Sequence, residues 1–107
     1  MVKLRFRHVE GFRAVMQTGT ATGAASLLNV TQPAVSQLMH EMEGVIGITL
    51  FDRRGGRLVP TSDAELLFDE VERAFTGLDH IGAFCEQLQR SKAHAVVLAA
   101  MPSIAMT

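Results

Sequence analysis

Residues 20–43 have the sequence TATGAASLLNVTQPAVSQLMHEME, which contains two helical patterns separated by a short turn. The first pattern places Ala24, Ala25 and Leu28 on one face, where small side chains allow another helix to approach closely. Residues 29–30, Asn-Val, are typical of a turn. The segment therefore predicts two short helices joined by a tight connection.

The second pattern begins at Thr31, a good N-cap, and has Pro33 in its first turn, where the missing N–H costs nothing. Gly47 is expected to end this helix as a left-handed residue. Apolar residues recur at helical spacing on one face, at Val35, Leu38, Met39, Met42 and Ile46. The opposite face carries the polar side chains of Gln32, Ser36, Gln37 and His40.

The flanking residues predict one more helix and a hairpin. Upstream, a helix is expected to stop near Thr18, just before Gly19. Its apolar positions are Leu4, Val9, Phe12, Val15 and Met16. Downstream, strands at 50–53 and 57–59 flank Arg54-Gly55-Gly56, whose glycines supply the positive φ values of a tight hairpin.

Three helices followed by a glycine-tipped hairpin are typical of a winged helix-turn-helix, in which the third helix enters the DNA major groove. The amides of Gln32 and Gln37 suit bidentate contacts with adenine, and the Ser36 hydroxyl can donate or accept a hydrogen bond. The candidate DNA-binding residues of this helix are Thr31, Gln32, Pro33, Ala34, Ser36, Gln37 and His40. An ordinary solvated helix face is the alternative interpretation.

The hairpin concentrates positive charge at Arg53, Arg54 and Arg57. Arginine on a thin loop suits a minor groove or a row of phosphates. An exposed hairpin without a ligand is the alternative.

Residues 62 to about 90 contain nothing that breaks a helix. Apolar residues recur there in alternating steps of four and three, at Leu67, Val71, Ala74, Leu78, Ile81, Cys85 and Leu88. This is a heptad seam, which predicts a second copy of the helix and hence a homodimer. The alternative is that the seam packs on the winged domain itself.

Composition excludes several classes of protein. With 107 residues and one cysteine, Cys85, the chain has no internal disulfide and no zinc site built on paired cysteines. The four histidines show no metal-ligand spacing, and neither a metal nor a cofactor is expected. No apolar run approaches the roughly 18 residues needed to span a membrane, and the N-terminus lacks a signal-peptide pattern, so the expected compartment is the cytoplasm.

The net charge of −1 conceals an asymmetry. Residues 1–60 hold seven Lys/Arg against four acidic residues, whereas residues 61–92 hold three against seven. A basic front half favours a DNA-binding module, and a dimerising adaptor whose winged domain binds protein is the alternative. No paired carboxylates, nucleophile–base pattern or phosphate loop favours an enzyme.

The order and spacing of several short motifs resemble the LysR-type transcriptional regulators, specifically their N-terminal DNA-binding domain and linker helix. The matching motifs are Ala24-Ala25 with Leu28, Thr31-Gln32-Pro33-Ala34-Val35-Ser36, Glu43, Leu50-Phe51-Asp52-Arg53 and Pro60-Thr61. Residues 12–16, FRAVM, together with 71–75, VERAF, and 77–81, GLDHI, are most similar to the branch of lysine-biosynthesis and opine-catabolism activators. Residues 37, 40 and 41, commonly basic in the family, are Gln, His and Glu here, and Asp63-Ala64 replaces the usual Ala-Gly.

The resemblance implies a mainly α fold with three domains: a winged helix-turn-helix at 1–61, a dimerisation helix at 62–91, and at 92–107 a hinge plus the first strand of an effector-binding domain. The hinge would be Ser91-Lys92-Ala93-His94, and the strand would span 95–100 before the break at Met101-Pro102-Ser103. The implied function is sequence-specific regulation of transcription by a homodimer bound to an interrupted AT-rich dyad. A higher oligomer is a candidate state of a full-length form, and RNA polymerase is a candidate partner.

Overall fold

The computed structural model describes residues 3–55 and 57–100, apart from the side chains of residues 97, 99 and 100. Within these residues, four helices and one antiparallel hairpin confirm the predicted winged helix-turn-helix followed by a long helix. The elements are α1 Phe6–Thr18, α2 Ala21–Leu28, α3 Gln32–Ile46, β1 Phe51–Arg54, β2 Arg57–Pro60 and α4 Ser62–Ala100. The chain forms two compact units, Met1–Glu72 and Arg73–Thr107.

The ends of the first three helices lie where the sequence predicts them. Gly19 and Gly47 follow α1 and α3 with left-handed φ values of 81° and 71°. Thr20 and Thr31 each accept the backbone N–H of the residue three positions later through the side-chain oxygen, at 2.9 and 3.3 Å. Asn29 also has a left-handed φ, 59°, which turns the chain between α2 and α3 within three residues.

The core of the first unit lies among the helices and the base of the hairpin. Phe12 of α1 packs against Phe51 of β1, with ring centroids 5.9 Å apart and planes tilted by 49°. The two alanines of α2, Ala24 and Ala25, are buried, which confirms their predicted inward face. The other buried apolar residues are Ala14, Val15, Val35, Met39, Met42, Leu50, Leu58, Ala64 and Val71.

The hairpin is shifted slightly from its predicted position: β1 lies one residue later than the predicted strand at 50–53, and β2 is one residue longer than the predicted strand at 57–59. Phe51 pairs with Pro60 at the base, and Arg54 pairs with Arg57 at the tip. Gly55 has a φ of 55°, the left-handed conformation that the glycine at the tip was expected to supply. Of the pair Gly55-Gly56, the second glycine lies outside the described residues.

Thr61 joins the hairpin to α4 through both its backbone and its side chain. Its hydroxyl accepts the backbone N–H of Ala64 at 3.2 Å, so it is the N-cap of α4. The same hydroxyl lies 2.9 Å from the carbonyl oxygen of Thr49, to which it donates. The Thr61 N–H donates to the carbonyl oxygen of Leu50 at 2.9 Å. The start of α4 is thereby fixed to the base of the β1–β2 hairpin, which is the wing of the fold.

The first compact unit extends past the predicted boundary at residue 61 to Glu72, because the first turns of α4 pack on the winged domain. Val71 is only 5% exposed: its side chain is already covered within its own unit, so little of it is left for a partner helix. Leu67 is half-buried and lines an apolar groove of about 220 Å³ with Met42, Leu50 and others. The alternative in which the seam packs on its own domain is therefore supported at Val71, whereas Leu67 is only partly covered.

The predicted hinge and strand at the end of the chain are not found. Helix α4 continues through residues 91–94 and 95–100 without a break. Neither stretch contains glycine or proline, and a strand there would need a neighbouring strand for its backbone hydrogen bonds. The break expected at Met101-Pro102-Ser103 and the rest of 101–107 lie outside the described residues.

Candidate nucleic-acid interface

Helix α3 has one buried face and one exposed polar face. Val35, Met39 and Met42 have no exposed surface, so they fix the rotation of the helix about its axis. Gln32, Gln37 and His40 are exposed and Ser36 is half-buried on the side turned outward. The sequence-predicted polar residues are thus brought together on one surface of the first unit.

The polar side chains of this surface are paired with one another along the helix. Gln32 Nε2 donates to Ser36 Oγ at 3.1 Å, and Gln37 Nε2 donates to Glu41 Oε1 at 3.3 Å. Both are contacts between residues four apart, each contributing only about 0.2–0.5 kcal/mol on an exposed helix. Such weak pairs orient the amides, and the amide atoms that they leave unbonded remain able to contact a base.

The first turn of α3 presents backbone as well as side chains. Thr31 and Pro33 are exposed and Ala34 is half-buried. The Thr31 hydroxyl accepts a hydrogen bond from the Ala34 N–H, and its own proton remains able to donate outward. A helix N-terminus carries partial positive charge, so this end of α3 suits a phosphate.

The wing arginines are exposed, but two of them have carboxylate neighbours. Arg53 Nη2 lies 4.0 Å from Glu43 Oε1, and its side chain is 39% exposed. Arg54 Nη2 lies 4.0 Å from Asp52 Oδ2, with 76% of the side chain exposed. Both contacts are at the limit of an ion pair and contribute little at a surface. Arg57 is exposed on the facing strand.

Glu43 holds α3 to the wing, a role that the sequence did not reveal. Its Oε2 accepts the backbone N–H groups of Leu50 at 2.7 Å and Phe51 at 3.2 Å. The Glu43 side chain is only 17% exposed. Through its two backbone contacts, one side chain positions α3 relative to the hairpin, and these two elements carry the candidate DNA-binding residues.

His8 and the basic N-terminal residues next to α3 were also missed. His8 is 5% exposed, and its Nε2 lies 3.4 Å from Glu41 Oε2. A signal was present, because His8 precedes Phe12 by four residues and so shares its buried helix face. Lys3 and Arg5 line a groove with His8 and Glu41. These two basic residues add positive charge beside the polar face of α3.

In the second unit, α4 carries large apolar side chains in contact with solvent. Leu78 is 52% exposed, Ile81 61% and Leu88 47%, and the other two seam residues of this unit, Ala74 and Cys85, are also exposed. Phe84, which lies beside the predicted seam, is 58% exposed and was not predicted. A row of such residues on one helix is typical of an interaction surface.

Within residues 3–55 and 57–100, no group of three His, Cys, Asp or Glu side chains is placed to hold a metal ion. In the same described part of the chain, no helix combines the length and the apolar character needed to cross a membrane.

Comparison with known proteins identifies the family. Residues 6–65 match the model of the bacterial regulatory helix-turn-helix proteins of the lysR family. Over 102 residues, the chain is 47% identical to the octopine catabolism/uptake operon regulatory protein OccR of Rhizobium meliloti and 42% identical to the transcriptional activator protein LysR of Escherichia coli K12. Each alignment covers 95% of this chain, and 34% and 33% of the respective relative.

The chain belongs to the LysR family, and its relatives confirm the predicted branch of lysine and opine regulators. It spans about a third of the length of these relatives.

Solved structures show the same fold. The chain superposes on the DNA-binding domain of BenM bound to benA site 1 DNA with a TM-score of 0.73 and 22% identity, covering 80% of this chain and 97% of that one. It superposes on the CbnR DNA-binding domain in a DNA complex with a TM-score of 0.68 and 26% identity, covering 86% and 99%. The structure therefore has the architecture of a LysR-type DNA-binding domain.

Proposed function

We propose that this chain is the DNA-binding portion of a transcriptional regulator and that α3 inserts its polar face into the major groove. The observation that carries the proposal is the two-sided character of α3: three fully buried apolar residues fix the helix, and amide and hydroxyl groups cover its outer face. The major groove, about 12 Å wide, admits a helix whose outward side chains are of this size. CbnR, a family member of the same architecture, is seen bound to DNA.

The residues at the start and on the outer face of α3 differ in the DNA contacts that their chemistry allows. Gln32, Ser36 and Gln37 contact base edges, because amides and hydroxyls match the donor and acceptor pattern of the major groove. Thr31 and the backbone at the helix start bind phosphate, and Pro33 and Ala34 contact a thymine methyl. His40 lies one turn further along and contacts a base or a phosphate.

The wing supplies contacts that do not depend on sequence. Arg54 and Arg57 are exposed, and the carboxylate near Arg54 is too distant and too solvated to hold it strongly. Arginine at a hairpin tip neutralises phosphate or enters a narrow minor groove. Arg53 contributes to the same surface from β1.

The exposed apolar residues of the second unit support a homodimer through α4. Water contacts about half or more of the Leu78 and Ile81 side chains, and a second copy of the helix would cover them. The proposed interface comprises Ala74, Leu78, Ile81, Cys85 and Leu88, with Leu67 at its edge. A dimer presents two recognition helices, so its target is a dyad, interrupted and AT-rich as the family resemblance implies.

The relatives' names extend the proposal to regulation. OccR is named for an operon and LysR of Escherichia coli as a transcriptional activator, so by likeness this chain acts on transcription in the cytoplasm. RNA polymerase is the proposed further partner. Higher oligomers are proposed for a longer form of the protein.

A selection from a pool of random double-stranded DNA tests the central claim. We expect the protein to enrich a sequence with two related half-sites. A dimer that makes at least six phosphate contacts should lose about 10³-fold or more in affinity between about 50 and 200 mM salt. Failure to enrich any sequence, with binding insensitive to salt, would favour the protein-binding alternative.

A further inference from the structure

Glu41 lies on α3, and its two carboxylate oxygens have different partners. Oε1 accepts the Gln37 Nε2–H at 3.3 Å, and Oε2 lies 3.4 Å from Nε2 of His8 on α1. The His8 side chain is 6% exposed, the Glu41 side chain 49%, and Gln37 is exposed. Glu41 therefore connects a buried ring to an amide on the outer face of α3.

The backbone fixes the direction of hydrogen bonding at His8. The Arg5 N–H donates to His8 Nδ1 at 3.2 Å, and a backbone N–H can only donate. Nδ1 must therefore present its lone pair, which places the proton of the neutral ring on Nε2. That N–H faces Glu41 and donates to Oε2. The Arg5 backbone thus makes His8 a donor toward α3.

The contact with Glu41 determines the orientation of the Gln37 amide. Because a carboxylate only accepts hydrogen bonds, the Gln37 amide turns its nitrogen toward Glu41. Its oxygen, on the other branch of the amide, is then directed away from Glu41. An outward acceptor matches the two bases that present an amino group in the major groove, adenine at N6 and cytosine at N4.

We propose that Glu41 is a positioning residue that sets the orientation of the Gln37 amide and thereby the bases that Gln37 accepts. This inference rests on the proposed function, because it requires α3 to lie in the major groove. His8 keeps the carboxylate in place from the buried side. On the strand that Gln37 contacts, the preference is therefore for adenine or cytosine, read in the orientation of the half-site.

Replacement of Glu41 by glutamine should reverse this preference. His8 remains a donor, so the new amide must turn its oxygen toward His8 and its nitrogen toward Gln37. The Gln37 amide then accepts with its oxygen and directs its nitrogen into the groove. An outward donor matches the acceptors O6 and N7 of guanine and O4 of thymine. Glu41→Gln should therefore enrich guanine or thymine on that same strand, in the same half-site orientation.

Replacement of Glu41 by alanine should relax the preference without reversing it. The Gln37 amide then turns freely, and both orientations reach the groove. The loss in discrimination should lie between about twofold, expected for an exposed pair four residues apart, and about tenfold, expected for a charge-assisted hydrogen bond. Glu10→Ala, which removes an exposed acid of α1, is the control for the change in net charge.

The experiment is a selection from a random pool of double-stranded DNA, with a melting curve for each protein. The proteins are the full chain and its Glu41→Gln, Glu41→Ala, Gln37→Ala and Glu10→Ala variants. The expected result is that Gln37→Ala removes the preference at one base pair, Glu41→Gln reverses it and Glu41→Ala weakens it there. If both Glu41 variants merely bind all sequences more tightly, as a lost negative charge would cause, the inference is overturned. A change at a different base pair from that of Gln37→Ala would show that Glu41 itself contacts a base, which also overturns it.

The outcomes separate this inference from the proposed function. If the unsubstituted protein enriches no sequence, the proposed function fails and the inference fails with it. If it enriches a sequence and the Glu41 variants leave the Gln37 position unchanged, only the inference fails. A lowered melting temperature with unchanged base preferences would assign Glu41 a purely structural role.

Discussion

The Glu43 carboxylate accepts the backbone N–H of Leu50 at 2.7 Å, and this hydrogen bond ties the end of α3 to the start of the wing. The same oxygen accepts the Phe51 N–H at 3.2 Å. Both donors belong to residues that are less than 5% exposed. The relative position of the recognition helix and the hairpin therefore depends on one partly buried side chain.

Glu43→Ala should lower the free energy of unfolding by about 2–3 kcal/mol, because it leaves buried N–H groups without a partner. Glu43→Gln is the matched variant, since its amide oxygen can accept both N–H groups and should retain most of the stability. Urea unfolding at a fixed protein concentration measures both. Equal losses for the two variants would show that charge, and not the acceptor oxygen, is what the site requires.

The polar face of α3 should be dispensable for folding but required for sequence preference. Gln32→Ala removes an exposed side chain whose one hydrogen bond is to Ser36, so stability should change by no more than about 0.5 kcal/mol. Specific binding should weaken by about 1–3 kcal/mol if the amide makes a bidentate contact. Binding to selected and random DNA measures the effect.

Gln89→Ala, an exposed glutamine on α4, is the control for the Gln32 variant and should leave binding unchanged. An equal loss on selected and random DNA would contradict a base contact by Gln32.

The wing should act through charge. Arg54→Ala and Arg57→Ala should each weaken binding to all sequences and reduce the slope of log affinity against log salt by about one. Arg90→Ala removes the same charge from an exposed site on α4 and serves as control. A loss confined to one base pair of the selected site, with the slope unchanged, would mean that the arginine contacts a base.

The helix ends were predictable because local chemistry determines them. Gly19 and Gly47 are left-handed, and Thr31 caps α3, since a glycine or a threonine hydroxyl satisfies backbone groups that any helix end leaves open. The polar face of α3 followed from helical periodicity in the same way. These features depend on residues within one or two turns of each other.

The contacts between distant residues were not predictable from periodicity. Glu43 reaches Leu50 and His8 reaches Glu41 only because the fold brings α1, α3 and the wing together. The heptad seam shows the same limit, since its spacing does not distinguish a partner helix from the chain's own core. Val71 lies on the seam yet is buried within the first unit, whereas Leu78, one heptad later, is exposed.

The exposed part of the seam should form the dimer. Leu78→Asp would place a charge in the proposed interface, where it has no partner, and dissociation is the less costly outcome. The first unit should stay folded, because its core uses residues such as Phe12, Met39 and Phe51. The variant should therefore be a folded monomer in sedimentation equilibrium, whereas the unsubstituted chain should be a dimer.

Leu66→Asp is the matched control, since Leu66 is 68% exposed on the same helix but outside the seam. It should remain dimeric. On DNA with two half-sites, Leu78→Asp should lose most of its affinity, because binding of one domain no longer raises the effective concentration of a second domain at the other half-site. Weak binding to a single half-site should persist. A dimeric Leu78→Asp variant, or an unsubstituted chain that stays monomeric at high concentration, would show that the exposed row of α4 serves a different partner.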